Sequence, residues 1–308
     1  MDILLIENIL FAMVRTGTPL LLVALGALMS ERSGVLNLGQ EGMILVGAVC
    51  GFIAAYTSQS MGLGVLAAVL GGILVSLVFA FIALTLISNQ VATGLALTIF
   101  GTGLSAFMGA GYVGQSLTGL APLEIPYLHQ IPFIGKALFA QDALVYFAFI
   151  IFAAIFAIMR YTRLGLIIRA VGENPEVAHA LGYNVLLVRY CAVIFGGAMA
   201  GLAGAYLSLA YTPMWSEGIA AGRGWIALAL VVFASWRVER ILLGAWLFGF
   251  ASILHLLLQG YGYEISPNLL AMLPYVVTIL VLVMMMRRKQ GQGIFAPRSL
   301  GQPYYPQR

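Results

Sequence analysis

The groups best placed to do chemistry in this chain are polar side chains at the start of an unusually short apolar run. Asn37, Gln40 and Glu41 directly precede the run that begins at Gly42. If that run crosses a membrane, a charge at its centre costs roughly 2.5 to 3.5 kcal/mol, so a carboxylate kept there is expected to have a function. Amides both donate and accept hydrogen bonds, which suits a neutral polyhydroxyl solute. Alternatively, Glu41 and Asn37 cap the short helix and satisfy its turn.

Three further polar side chains border apolar runs and carry the same ambiguity. Asn89 and Gln90 directly precede the apolar run 91–112. Arg223 precedes a second short run, where it either pairs with Glu217 at an outer rim or meets a ligand or a delivering protein. The predicted solute pathway therefore consists of Asn37, Gln40, Glu41, Asn89, Gln90 and Arg223.

Side chains of catalytic or metal-binding type form no constellation in the sequence. His129, His179 and His255 lack the spacing of metal ligands, and Cys50 and Cys191 lie inside apolar runs. Neither of the two lysines belongs to the glycine-rich loop that binds nucleotide phosphates. We therefore expect no enzyme, no metal and no cofactor in this chain; if ATP drives the protein, ATP and Mg²⁺ bind to a partner ATPase subunit.

Composition indicates a membrane environment for these residues. Of 308 residues, 62% are hydrophobic and 8% are charged, and the mean hydropathy is +1.01, whereas soluble domains have about 25% charged residues. The sequence predicts an all-α polytopic membrane protein, with residues 1–308 as a single transmembrane domain. Nine apolar runs are long enough to cross about 30 Å of hydrocarbon, namely residues 8–29, 41–58, 63–87, 91–112, 142–159, 187–211, 223–236, 240–259 and 268–286.

Two parts of this organisation stay open. A tenth span is possible, because the polar residues 33–42 allow a re-entrant half-helix. The external loop 113–141, rich in Gly and Pro, predicts an irregular cap with at most one short helix.

The second and seventh runs are short, and each follows a polar, glycine-bearing approach. The polar segment before the second run enters the membrane from the cytoplasm, and the polar segment before the seventh run enters it from outside. This arrangement is typical of an inverted repeat with the solute path between its halves. Small residues at 196–205, and Gly47 with Gly51, predict close packing between helices, with a hinge as the minor alternative.

The positive charges predict the orientation. With residues 160–189 in the cytoplasm, all Lys and Arg except Arg15, Lys136 and Arg223 lie inside. The N-terminus is then outside, and the C-terminal tail 287–308 is cytoplasmic. The same asymmetry beside anionic lipid headgroups accounts for the net charge of +4, so no nucleic-acid partner is expected.

The cytoplasmic segment 160–189 is the longest charged stretch and contains a short predicted helix. Asn174 can cap it, Pro175 suits its first position, Glu176 lies in its first turn, and Gly182 follows its end at Leu181. A helix of about two turns is marginal alone in water. We therefore expect its flanks and a docking partner to hold it.

Several stretches together resemble a known family. They are residues 30–43, 89–91, 169–176 and 222–229, and the tripeptide Leu273, Pro274 and Tyr275. In this order they resemble the permease subunits of bacterial ABC importers for nucleosides and simple sugars, in the branched-chain amino acid and ribose type of permeases. Within that group the chain looks like the shorter of the two paralogous nucleoside permeases.

The resemblance implies a translocation subunit in the bacterial inner membrane. Its implied partners are a second, homologous permease, two ABC ATPase subunits, and an external substrate-binding lipoprotein or periplasmic protein. It also implies an ATPase-coupling helix formed by Glu173, Asn174, Pro175, Glu176, His179 and Gly182. Val177 and His179 depart from the small or polar residues usual after Glu176.

Alternatives for the solute and the mechanism stay open. Relatives of this type carry nucleosides, ribose-like sugars or riboflavin. An ion-coupled secondary carrier would need buried carboxylate or His pairs, and the sequence offers only Glu41 for that role. An intramembrane enzyme would need clustered His, Asp or Ser at helical spacing, which the sequence lacks.

Overall fold

The computed structural model describes residues 3–131, 135–260 and 296–305, together with Met272, Val276, Ile279, Leu280 and Val283. The described residues form helices and no β-strand; two isolated bridges, Ser116 to Met214 and Pro122 to Asp142, are their only β-type pairing. The α-helices are α1 (Ile3–Arg32), α2 (Gln40–Ser58), α3 (Met61–Ala80), α4 (Gln90–Gly109), α5 (Gly135–Phe139), α6 (Ala143–Tyr161), α7 (Arg163–Glu173), α8 (Pro175–Ala180), α9 (Val185–Ala205), α10 (Arg223–Phe233) and α11 (Val238–Gly260). Single π-helical segments, Phe81–Thr85 and Tyr206–Tyr211, extend α3 and α9.

Side-chain caps fix where several helices begin. Ser60, Asn89, Asp142, Thr162 and Asn184 each accept a hydrogen bond from a backbone amide in the first turn of the following helix. Such caps satisfy amides that have no partner inside the helix. The apolar runs between these caps then continue as uninterrupted helix.

The predicted apolar runs match the helices closely. Among the described residues, six helices are long and apolar enough to cross a membrane, and Arg223–Phe233 is a shorter apolar helix. The six are Leu5–Arg32, Gln40–Ser58, Met61–Thr85, Gln90–Tyr112, Ala143–Tyr161 and Val185–Tyr211. The run 240–259 lies within α11. The run 268–286 and the tripeptide 273–275 lie largely outside the described residues.

The segments that connect the helices differ from the sequence-based prediction more than the helices themselves do. Residues 33–39 form a buried, non-helical link, so they add no half-helix. The described part of the loop 113–141 is irregular, as predicted, and includes the short helix α5. The segment 160–189 contains two helices where one was predicted: α7, which the sequence analysis missed, and α8. The amphipathic α7 escaped because its polar face breaks the apolar signal.

Small residues bring α2, α3 and α9 into close contact, which confirms the predicted packing. A Cβ at Gly47 would lie 2.6 Å from the Cα of Gly201, and a Cβ at Gly72 would lie 2.8 Å from the same atom. Backbones that approach this closely gain dispersion contacts, which drive helix association in lipid. α1 packs on the other side of α9 and on α11.

The helix ends show which elements share a face. Arg32 at the end of α1 donates to the carbonyl of Trp236, which follows α10. Arg189 near the start of α9 donates to the carbonyl of Ser33. Gln90 at the start of α4 accepts from the amide of Leu36. These ends, with α7 and α8, lie on one face, and the α2–α3 turn lies on the opposite one.

Candidate functional site

Two helices, the short α10 and the longer α2, begin inside the bundle and run to opposite faces. α10 has 11 residues, or roughly 16 Å at 1.5 Å per residue, about half the thickness of the hydrocarbon layer. Its C-terminus lies on the face of α7 and α8. α2 starts beside the N-terminus of α10 and ends at Ser58 on the other face. We call the meeting point of these two N-termini the central junction.

Glu41 holds the central junction together. Its Oε1 accepts from the amide of Gly222 at 2.8 Å, and its Oε2 accepts from the amide of Gly224 at 2.6 Å. Only 9% of the residue is exposed. A carboxylate at a helix N-terminus satisfies unpaired amides and complements the positive end of the helix dipole. Glu41, in the first turn of α2, thus binds the first turn of α10.

Glycines at 222 and 224 are needed for this contact. Gly222 has a φ of +79°, in the left-handed region that favours glycine. A Cβ at Gly224 would lie 2.6 Å from the amide nitrogen of Glu41 and 2.7 Å from its Cα. The backbone of α10 can therefore approach Glu41 only without a side chain at this position.

Arg223 lies at the central junction, and of its two predicted roles the pairing with Glu217 does not occur as a salt bridge among the described residues. Its Nη1 donates to the carbonyls of Ile219 and Ala220 at 3.2 Å, and its guanidinium lies 5.7 Å from the ring centre of Tyr211. The short helix begins at Arg223 itself, which places this side chain deeper than the sequence suggested.

Gln40 has a fully buried carboxamide with no partner among the described residues. Its Nε2 and Oε1 both lack a hydrogen bond, and its exposure is 0%. It lies next to Gly196 of α9. Asn37 instead accepts from the amide of Gly39 at 2.8 Å, and so stabilises the turn before α2.

Asn89 and Gln90 lie away from the central junction, at the start of α4. Asn89 is exposed and caps the helix by accepting from the amide of Ala92. The Oε1 of Gln90 accepts from the amide of Leu36 at 2.8 Å. The structure thus brings Glu41, Gln40 and Arg223 to the junction, with Asn37 in the adjoining turn. Asn89 and Gln90 lie near the face of α7 and α8.

The predicted short cytoplasmic helix is confirmed as α8. Asn174 caps it by accepting from the amide of Val177, Pro175 is its first residue, and Gly182 follows it with a φ of +89°. Val177 and Leu181 are 53% and 69% exposed. α8 therefore presents apolar side chains, with the exposed Glu173 and His179 around it.

A C-terminal segment, residues 296–305, packs behind α8 and was not predicted to do so. The amide of Ser299 donates to the carbonyl of Gly172 at 3.0 Å, and Tyr304 contacts the ring of His179. The salt bridge between Arg298 and Glu173, 3.9 Å long, is exposed and contributes little. The nearby apolar cluster consists of Val171, Ala178 and Val185, with Tyr304 packed against it.

Arg189 joins the C-terminal segment to the link before α2, and the sequence analysis missed this role. Its exposure is 1%. Its guanidinium donates to the carbonyl of Ser33 at 3.2 Å, to Ser299 Oγ at 3.2 Å and to the carbonyl of Gln302 at 3.3 Å. In the sequence Arg189 looked like one of many arginines predicted to be cytoplasmic. It differed from them only in its position inside an apolar helix, about one turn after the capping residue Asn184.

Among the described residues, no three His, Cys, Asp or Glu side chains cluster in a way that could hold a metal ion. Carbonyls, amides and one carboxylate dominate the central junction. Such groups can bind and orient a polar solute or hold two helices together.

The class of protein follows from this architecture and from comparison with known proteins. Residues 9–283 match the family described as the permease component of the branched-chain amino acid transport system. The chain belongs to this family of permeases. It is the permease subunit of an ABC importer and not an enzyme, and such a subunit implies an ATPase partner.

Individual relatives match along nearly their whole length. The chain is 41% identical to the "Putative glucose ABC transporter permease protein TsgC13" of Haloferax volcanii, over 96% of this chain and 97% of that one. It is 34% identical to the guanosine ABC transporter permease protein NupQ of Bacillus subtilis, over 99% and 98%. It is 33% identical to the nucleoside ABC transporter permease protein NupC of Lactococcus lactis, over 93% of each chain.

A solved structure shares the fold. It is described as an inward-facing conformation of a putative metal-chelate type ABC transporter. The TM-score is 0.51 and the identity is 14%, over 90% of this chain and 85% of that one. The two chains therefore share an architecture.

Proposed function

We propose that this chain forms part of the translocation pathway of an ATP-driven importer of nucleosides. The observation that carries the proposal is the central junction, where the short helix α10 and the longer helix α2 start from one buried carboxylate and run to opposite faces. Non-helical backbone at membrane depth is tolerated where it is buried in protein or lines a cavity. Discontinuous helices that meet at mid-depth are typical of transporter sites between inverted repeats.

A neutral solute suits the polar groups of the junction. Both oxygens of Glu41 are used by backbone amides, whereas the carboxamide of Gln40 keeps its donors and acceptors free among the described residues. A carboxamide can pair with the hydroxyls of a ribose and with the edge of a base. Arg223 would border the same path, and Asn37, Asn89 and Gln90 would support its cytoplasmic half.

A second candidate solute is a simple sugar. It is favoured by the relative with the highest identity reported above, whose name specifies glucose. A sugar lacks the flat apolar base of a nucleoside. Competition between unlabelled nucleosides and glucose for uptake of a labelled nucleoside would distinguish the two solutes.

The driving force would enter through α8. Glu173, Asn174, Pro175, Glu176, His179 and Gly182 would form the surface that docks on an ABC ATPase, with Val177 and Leu181 as its apolar contacts. ATP and Mg²⁺ would be bound by that partner. The complete transporter would also contain a second homologous permease and an external substrate-binding lipoprotein or periplasmic protein.

Movement of α8 would reach the central junction through buried hydrogen bonds. α8 packs on the C-terminal segment, and Ser299 of that segment binds Arg189. Arg189 in turn holds Ser33, in the link that leads to α2 and Glu41. A shift of α8 would thus move the start of α2 relative to α10.

In the proposed topology the chain is a nine-span protein of the cytoplasmic membrane, with its N-terminus outside and its C-terminus in the cytoplasm. The positive charges beside the helix ends support this orientation. It places α7 and α8 where an ATPase can reach them, and it places the external loop 113–141 where a binding protein can deliver solute.

The docking role is tested by replacing Glu173 and Glu176 with Ala. We expect uptake to fall at least about tenfold, because the proposed docking surface of α8 loses its charged groups. We also expect the ATPase to dissociate from this chain during purification. The amount of chain in the membrane should not change. The control is Glu217→Ala, which removes an exposed carboxylate that lies outside both α8 and the loop 113–141 and should leave uptake normal. Normal uptake by the first variant would contradict the proposal.

A further inference from the structure

A basic cavity lies on the cytoplasmic face, away from both α8 and the central junction. Its volume is about 540 Å³, and it opens between the ends of α1 and α6, the helix α7 and the turn before α11. Among the described residues, its charged lining consists of Arg32, Arg160, Arg169, Arg237 and Glu239. Arginine is therefore the main charged residue type of the described lining.

Two of these arginines present their charge to the solvent side of the cavity. Arg160 is exposed, with its guanidinium 5.8 Å from the ring centre of Phe156 and 5.9 Å from that of Tyr161. Arg169 is exposed, and its Nε donates to the carbonyl of Gly165. Neither arginine forms an ion pair among the described residues. Both therefore hold defined positions while their charge remains available to an anion.

A third arginine is fixed at the back of the cavity. Arg32 donates from Nε and Nη2 to the carbonyl of Trp236, at 3.1 and 2.6 Å. Arg169 and Arg237 line the same cavity as Arg32. An anion in the cavity would relieve the repulsion among the arginines.

An apolar surface rises from the cavity toward the membrane interior. The cavity wall already includes Phe156, Met159 and Val238. Above Glu239, one and two turns along α11, Leu243 and Leu247 are 64% and 45% exposed. Between α6 and α11 the rings of Phe149 and Trp246 pack edge to face, with their centres 6.3 Å apart. Positive charge at the interface thus continues directly into an exposed apolar stripe.

We propose that this cavity binds one anionic phospholipid. Its phosphate would lie between Arg160 and Arg169, since arginine matches phosphate oxygens with paired donors. Its acyl chains would follow Leu243 and Leu247 along α11. Basic pockets between membrane helices on the cytoplasmic side suit such headgroups. A soluble phosphate would use the same arginines but gain nothing from the apolar stripe.

The test measures retained lipid on the purified transporter complex by native mass spectrometry, after exchange into detergent with added phosphatidylglycerol or phosphatidylcholine. We expect phosphatidylglycerol to bind at one site per chain and phosphatidylcholine at least about tenfold less. The double variant Arg160→Gln with Arg169→Gln should lose about tenfold or more of that binding. The matched control, Arg163→Gln with Arg240→Gln, changes two exposed arginines outside the cavity and should bind normally.

Three results would overturn the proposal. Equal losses in both double variants would indicate diffuse charge attraction. Displacement of the lipid by millimolar glycerol phosphate would indicate a soluble phosphate ligand. Binding to the isolated chain that disappears in the complex would indicate that the ATPase covers the cavity. Thermal unfolding of each variant separates lost binding from lost folding.

Discussion

At the scale of single residues, Glu41 shows how a buried charge can be structural and functional at once. Its carboxylate satisfies two backbone amides of another helix, so it needs no cationic partner at hydrogen-bond distance. Charge-assisted hydrogen bonds of this kind are about twice as strong as neutral ones. The cost of keeping the charge inside is therefore offset by fixing the start of α10 on the start of α2.

Replacing Glu41 with Ala should destabilise the chain and depress uptake. The amides of Gly222 and Gly224 would lose their acceptors, at about 1 to 3 kcal/mol for each buried donor. Glu41→Gln should fall between Ala and the wild type, because one oxygen can still accept. Thermal unfolding and uptake assays measure both effects, with the exposed Glu217→Gln as the control. An Ala variant with wild-type stability and uptake would refute the bridging role.

Replacing Arg189 with Gln should weaken the connection between α8 and α2. Three acceptors, Ser33, Ser299 and Gln302, would lose their shared donor. We expect about 1 to 3 kcal/mol of destabilisation, and uptake reduced more than the amount of folded chain. Lysine at this position offers one compact ammonium group and should rescue only partly. Arg163→Gln, at the exposed start of α7, is the control; if both variants behaved alike, Arg189 would have no special role.

At the scale of elements, glycine contacts determine how closely α2 can pack on α4. A Cβ at Gly101 would lie 2.6 Å from the Cα of Gly42, which is backbone and cannot rotate away. Gly103, two residues further along the same helix, has nothing within 4 Å of a Cβ. The two positions share a helix and a residue type but differ in their surroundings.

Gly101→Ala should therefore destabilise the chain by about 1 to 3 kcal/mol through overpacking. Gly103→Ala should be neutral or slightly stabilising, since Ala is the better helix former by about 1 kcal/mol. Denaturant unfolding of the two purified variants in the same detergent gives the comparison. Equal effects of the two substitutions would mean that α2 and α4 are not in close contact at Gly42.

The long helices were predictable from the sequence, whereas α7 and the buried link 33–39 were not. Apolar run length alone determines where a helix can cross a bilayer, and polar caps such as Asn89 and Asp142 mark the starts. α7 has a polar face and lies outside the apolar runs. The link is buried by the C-terminal segment around Gly34 and by α4 around Leu38. Both lie outside the link in the sequence, so no local pattern predicts its burial.

The candidate site was predictable only in part, for the same reason. Glu41 and Gln40 stand out because a polar group inside an apolar run is costly. The partners of Glu41 are backbone amides, which leave no signature in the sequence. For Arg223 the sequence left two roles open, at an outer rim or at a ligand, because composition alone could not show that α10 begins beside Glu41.

At the scale of the whole molecule, we propose that one face receives force and the centre responds. α8, the C-terminal segment and Arg189 connect in turn to the link before α2, and Glu41 connects α2 to α10. No nucleotide-binding loop occurs in the sequence. In the proposed mechanism, the ATPase partner supplies the work that the central junction performs, through contact with α8.

The most direct measurement is uptake of a radiolabelled nucleoside by proteoliposomes that contain this chain, its second permease, the ATPase and the external binding protein. We predict uptake that requires ATP bound by the ATPase subunit. This uptake should disappear when the ATPase is omitted, and an imposed proton or sodium gradient should not restore it. Uptake by the chain without the ATPase, driven by such a gradient, would contradict the central claim that a separate motor moves this bundle through α8.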